Sequence, residues 1–131
     1  IKIQSDRMLM AYGFMRHVFE VFERYQTPID MVATSEVAVS ISIDKPLHLP
    51  NIVKDLEEYG RVEVDHRLSI ICIVGNYISD KGGIAAEIFK CLDSIPVRMI
   101  SFGGSRHNIS ILVKEDNKQS ALKALHQLFT P

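Results

Sequence analysis

The chain has 131 residues, with 15 Lys and Arg against 16 Asp and Glu and a formal net charge of −1. That length holds one domain or two very small ones, and the missing basic excess argues against nucleic acid as a partner. Hydrophobic residues at 47% with 24% charged describe a globular protein and exclude a disordered or fibrous one.

Ile1 and Ile3 alternate with Lys2 and Gln4, which predicts a short half-buried strand. Phe14, Met15, Val18, Phe19, Phe22 and Tyr25 then recur at helical spacing, with Arg16, His17, Glu20, Glu23 and Arg24 on the opposite side. Thr27-Pro28 stops that helix, because proline cannot continue the hydrogen-bond ladder. Ile29 to Ala33 and Val37 to Ile43 read as two strands around a Thr34-Ser35-Glu36 turn. Pro50 opens a second helix that buries Ile52, Val53, Leu56 and Tyr59, and Gly60 occupies the usual stop position. Val62 and Val64, alternating with Glu63 and Asp65, complete a β-α-β-β-α-β order.

The second half repeats the first. Leu68 to Val74 is a continuous apolar strand, expected to be covered on both faces. After Gly82-Gly83, the residues Ile84, Ala85, Ile88, Phe89 and Leu92 predict a helix. Pro96 to Ile100 echoes Pro28 to Val32, Ile109-Ser110-Ile111 echoes Val39-Ser40-Ile41, and Gly83 falls where Gly13 does in the first copy. A last helix carries Ala121, Leu122, Leu125, Leu128 and Phe129. The expected fold class is α+β: two ferredoxin-like domains in tandem, residues 1–66 and 67–131, the second reading β-α-β-β-α and lacking one strand. A sheet edge left open in this way is expected to be covered by another segment or another copy.

Chemistry-bearing motifs are few. Cys72 and Cys91 sit in apolar runs without a Cys or His at ligand spacing, so both read as buried free thiols and no metal site is expected. There is no phosphate-cradling glycine fingerprint, no Cys-x-x-Cys and no nucleophile elbow, so no catalytic residue is assigned. His107, within Ser105-Arg106-His107-Asn108, reads first as a loop or strand-pairing residue. The apolar runs are too short to span a bilayer, and Lys2, Asp6 and Arg7 interrupt any leader, so neither a membrane nor an export signal is expected. A cytoplasmic location follows by default, and the strand pattern already under way at Ile1 reads as a piece of a longer chain.

One asymmetry separates the copies: Asp30 in the first corresponds to Arg98 in the second. A carboxylate at the start of the second strand, read as lying near the turn before the first helix, is suited to an amine. Backbone amides around Gly13-Phe14-Met15 suit a carboxylate. Together they would recognise a free amino acid, and only in the first copy. The alternative for Asp30 is an ordinary surface cap or ion pair.

Arg7-Met8-Leu9-Met10-Ala11-Tyr12-Gly13-Phe14, Ile29-Asp30-Met31-Val32-Ala33-Thr34-Ser35-Glu36-Val37, Val74-Gly75-Asn76 and Ser105-Arg106-His107-Asn108 resemble the landmarks of the aspartate kinase regulatory tail, which is made of two ACT domains. The resemblance runs the length of the chain and is nearest to the monofunctional, lysine-inhibited members. It implies a homodimer with the effector, lysine first, held between the first ACT domains of two subunits. Met8, Gly13, Phe14 and Met15 would line it from the strand-to-helix loop, Pro28, Ile29 and Asp30 from the second strand, and Thr34, Ser35 and Glu36 from the turn. Asp30 would take the α-amine and Glu36 the side-chain ammonium. The resemblance also implies that ATP and Mg belong to a catalytic domain outside this sequence, so the fragment itself carries no cofactor and no kinase activity. It assigns the missing strand of the second domain to sequence preceding the first. Met10 and Ala11 depart from the His and Ser that lysine-sensitive relatives often carry, which keeps threonine as a rival effector. An assembly module that binds no effector, and a small phosphatase-like hydrolase for which no phosphate loop is present, are the readings from other classes.

Overall fold

The computed structural model describes residues 1–5, 12–35 and 38–129, and the chain divides into two units, Ile1–Asp65 and His66–Pro131. In the first unit the order is β1 (Lys2–Gln4), α1 (Phe14–Arg24), β2 (Met31–Thr34), β3 (Ala38–Ser42), α2 (Leu49–Leu56) and β4 (Arg61–Glu63). The strands form one antiparallel sheet in the order β2-β3-β1-β4. Ile3 pairs with Val39, so these two and Ile41 share a sheet face. That face packs against Phe14, Val18, Val21 and Phe22 of α1 and Ile52 and Leu56 of α2. Both helices therefore cover one side of the sheet, as the helical spacing of those residues dictates.

The second unit repeats the plan as β5 (Leu68–Val74), α3 (Ile84–Cys91), β6 (Val97–Ser101), β7 (Asn108–Lys114) and α4 (Lys118–Phe129), with single 3₁₀ turns at Ile78–Asp80 and Glu115–Asn117. Its antiparallel sheet has the order β5-β7-β6, and Ile71, Ile73, Ile109, Ile111 and Val113 face Ile84, Ile88, Ala121 and Leu125 of its two helices. The architecture is thus two α+β units of the ferredoxin-like plan, the second one strand short among the described residues. Gly13 and Gly83 start α1 and α3 with φ of 84° and 80°, a left-handed conformation that glycine adopts without the Cβ clash of other residues.

Three local expectations change. Strand β5 is not covered on both faces: it lies at a sheet edge, Cys72 is exposed and Val74 keeps 74% of its surface. Cys72 is accordingly no buried thiol; its Sγ lies 3.4 Å from Ser110 Oγ. Cys91 is half-buried and donates to Ile88 O at 3.1 Å, and burial pushes its thiol pKa up. Gly60 is not a left-handed helix stop. Helix α2 ends at Leu56, and the Gly60 backbone lies directly beneath β1.

The two helices of the first unit are tied at one end. Asp55 Oδ2 accepts from the Tyr25 hydroxyl at 2.6 Å and from Arg24 Nη1 at 2.7 Å. The Tyr25 hydrogen bond, and with it the Arg24 guanidinium, holds the Asp55 carboxyl below its usual pKa. The stability this group contributes is complete above the ordinary carboxylate range and is lost as pH falls through the lowered value. Asp55→Asn is expected to flatten that part of the acid limb, seen as a smaller drop in urea midpoint between pH 7 and about pH 3. Parallel losses in variant and parent would show that the cluster contributes nothing on acidification.

Candidate functional site

Sheet register decides which of the sequence-selected residues meet. Gln4 pairs with Ala38 and Thr34 with Val39, so the C-terminal ends of β1 and β2 lie at the same end of the sheet. Helix α1 starts after Gly13 and runs back toward the end where β2 begins. Its eleven residues carry the chain roughly 16 Å. Asp30 therefore stands at the far end of β2, roughly 13 Å along the strand from Thr34. This corrects the expectation that Asp30 lies near the turn before the first helix. Within one unit Gly13 lies toward the same end of the sheet as Thr34 and Ser35, and Asp30 stands toward the other end.

At the loop end, the first intrahelical bond runs from His17 N–H to Gly13 O at 2.9 Å, and no side chain caps the helix. The amides of Phe14, Met15 and Arg16 precede that bond and point out of the helix end. They give the site its donors and a partial positive charge. Phe14 itself is a core residue, 6% exposed, so it offers its backbone rather than its ring. Met15 is half-buried against the same core, and Gly13 is exposed. Thr34 and Ser35 are exposed, and the Ser35 N–H closes the hairpin by donating to Ala38 O at 2.8 Å. Met8 and Glu36 lie outside the described residues, as do Met10 and Ala11.

At the other end, Pro28 and Asp30 are exposed and Ile29 packs its side chain on the core. The Asp30 carboxylate has no hydrogen-bond or ion-pair partner among the described residues, which removes the cap and surface-pair readings there. Its backbone is held instead: Asp30 N–H donates to Ser42 O and Met31 N–H to Ser42 Oγ, each at 2.9 Å. Ser42 is a residue the sequence offered no reason to select, since Ser40 and Ser42 read as the polar side of an alternating strand. Strand β2 is an edge strand of its sheet, and Val32 on it keeps 38% of its surface.

The second unit differs at two of these places and has loop ties of its own. Arg98 replaces Asp30 and Phe102 replaces Thr34, and the loop before Gly83 is tied down by its neighbours. Tyr77 N–H donates to His107 Nδ1 at 3.0 Å, and Ser79 Oγ donates to the carbonyls of Ser105 and Asn108. His107 is thus a loop tie. A groove of about 470 Å³ runs between α4 and the edge of β5 that is unpaired among the described residues, lined by Ile71, Ile73, Leu122, Leu125, His126 and Phe129 among others. In the first unit the matching edge of β1 is taken by β4. Among the described residues no His, Cys, Asp and Glu cluster is arranged for a metal ion, and no helix is long and apolar enough to cross a membrane.

The ACT domain family profile matches residues 71–129. A solved structure ascribed to the C-terminal regulatory domain of aspartate kinase from Porphyromonas gingivalis is 48% identical, with a TM-score of 0.89 over 99% of this chain and 89% of that one. Lysine-sensitive aspartokinase 3 of Escherichia coli is 30% identical over 96% of this chain and 30% of its own length. The aspartokinase of Candida albicans is 35% identical over 96% of this chain and 24% of its own. The chain therefore spans about a quarter to a third of the length of these curated relatives. Escherichia coli aspartokinase III in complex with lysine and aspartate, in its T-state, superposes with a TM-score of 0.86 at 30% identity over 99% of this chain.

Proposed function

The chain belongs to the aspartate kinase family as a regulatory region of paired ACT domains, and from that premise we propose that it senses an end-product amino acid, lysine first, at a seam between the first units of two copies. The observation that carries this reading is Asp30: an exposed carboxylate without a described partner, on an edge strand, in the copy whose counterpart has arginine. A lone unit cannot bring Asp30 to the donors before α1. Pairing two β2 edges antiparallel about a two-fold axis does so, because the Asp30 end of one strand then meets the Thr34–Ser35 end of the other.

In that arrangement the ligand carboxylate takes the amides at the start of α1, and the α-ammonium takes Asp30 of the other copy. Glu36 is the expected partner of the side-chain ammonium, which is what favours lysine over threonine. A ligand that binds one arrangement of the two copies more tightly than the others shifts the population toward it. A coupling of about 1–3 kcal/mol changes affinity roughly 5–150-fold. In the whole protein this would feed back on ATP- and Mg-dependent phosphorylation of aspartate by a cytoplasmic catalytic domain. The free β5 edge and its groove would receive one more strand, supplied by sequence preceding the first unit.

Titration calorimetry with lysine, threonine and methionine tests the reading, with lysine expected to give heat and saturate at one equivalent per chain. Absence of heat from all three would leave an assembly module that binds nothing. Arg98→Ala is expected to leave the lysine Kd within about twofold, because the second unit lies outside the site. A large loss in that variant would move the site to the later copy.

A further inference from the structure

We infer that Ser42 is the positioning residue that presents the Asp30 carboxylate, through a bulge at the start of β2. The inference rests on the sensor reading of Asp30 and deepens it.

In the β2–β3 ladder Met31 stands opposite Ser42. Ser35 and Ala38 are a hydrogen-bonded pair at the hairpin end, so alternation makes Met31 and Ser42 another such pair. A regular strand would direct the Met31 amide at β3 and the Asp30 amide away from it. Both instead converge on Ser42, Asp30 N–H on its carbonyl and Met31 N–H on its hydroxyl, each at 2.9 Å. Two consecutive amides aimed at one residue of the neighbouring strand mark a bulge, a device that re-aims a side chain out of the ordinary pleat. The residue so re-aimed is Asp30.

The second copy provides an internal comparison. Its ladder is also irregular at this place, with a register shift between Val97 and Met99 that sets Arg98 apart. There Met99 pairs with Leu112, which stands where Ser42 stands in the first copy and has no hydroxyl. The irregularity belongs to both copies, and the second acceptor belongs only to the copy with the carboxylate. Without that hydroxyl, Met31 N–H is left with only the Ser42 carbonyl, which Asp30 N–H also uses. Met31 is 5% exposed, so water is a poor substitute there. The bulge then loosens, and the carboxylate loses its fixed direction toward an ammonium group across the seam.

The test pairs Ser42→Val, which removes the hydroxyl, with Ser42→Thr, which keeps it in a β-compatible side chain. L-Lysine is titrated into the unaltered chain, both variants and Asp30→Asn, at a temperature where each is folded. Met31 amide exchange is followed in parallel, and Ser42→Ala stands in if the valine variant does not fold. We expect Ser42→Val to raise the lysine Kd roughly five- to tenfold and to speed Met31 exchange, with Ser42→Thr within about twofold of the parent. Lysine binding unchanged in Ser42→Val but lost in Asp30→Asn would overturn the role of Ser42 and leave the sensor reading standing. Equal losses in the valine and threonine variants would assign the effect to packing and overturn it as well. No binding by the unaltered chain would remove the sensor reading itself and the role of Ser42 with it.

Discussion

Asp30→Ala is expected to raise the Kd for lysine by about a hundredfold or more while the thermal midpoint moves by no more than about 2 °C. Two observations set these magnitudes apart. The carboxylate is exposed and touches no described group, so the folded unit loses nothing when it is removed. At the proposed seam the same carboxylate is the counter-charge to a desolvated ammonium, and truncating one member of such a pair leaves the other buried without compensation. Asp30→Asn keeps the shape and one acceptor and should fall between. Calorimetry on the variant decides the matter: lysine bound as tightly as by the parent would place the ammonium elsewhere, and a collapse of the midpoint would make Asp30 a structural residue.

Gly60→Ala is expected to destabilise the first unit strongly, costing about 2–4 kcal/mol. A Cβ at this position would press on the Gln4 carbonyl oxygen, with Gln4 C at 3.1 Å and Ile3 Cγ1 at 3.3 Å. None of these atoms is the free end of a flexible side chain. Gln4 is backbone of β1, held between β3 and β4, and Ile3 is fully buried. The strain can be relieved only by prising β4 from the sheet. For a unit of this size each kcal/mol shifts the midpoint by roughly 4–8 °C, so a fall of at least about 8 °C is expected. Hydrogen exchange should report it in residues 1–65 and spare the second unit. Gly82→Ala, with open space around it and an ordinary φ, is the control and should change stability by no more than about 0.5 kcal/mol. A Gly60→Ala protein as stable as that control would mean that β1 and β4 are not held as tightly as their pairing indicates.

Much of this fold is legible in the sequence. The period of 3.6 at Phe14, Val18, Val21 and Phe22, and the period of two at Val39 and Ile41, are local signals that survive in the core. The duplication made each half a check on the other. What stayed hidden depends on partners distant in the chain. Gly60 looked like a helix stop because a glycine after an amphipathic run usually is one; its actual constraint is a strand some 55 residues earlier. The apolar run through Cys72 and Val74 read as doubly covered because a sequence does not say which strand lies at an edge. The Asp30/Arg98 asymmetry is plain in the sequence, yet the neighbourhood of Asp30 is not, since strand register rather than chain proximity sets which end of the sheet it occupies. Ser42 was missed because a hydroxyl that accepts a backbone amide and one that meets water are the same letter. The regulatory resemblance, carried by whole segments rather than single residues, supplied the direction toward an effector.

The separation of Asp30 from the Gly13 loop by the length of β2 has a thermodynamic corollary. If every ligand must be gripped from two chains at once, an isolated chain has half a binding site twice over and no complete one. Mass action then couples effector and association: lysine should tighten the dimer, and its apparent affinity should weaken as the protein is diluted below the dimer constant. Two ligands would close one interface, so occupancy of the first prepays the orientational entropy of the second, and a steep response needs no movement inside either fold.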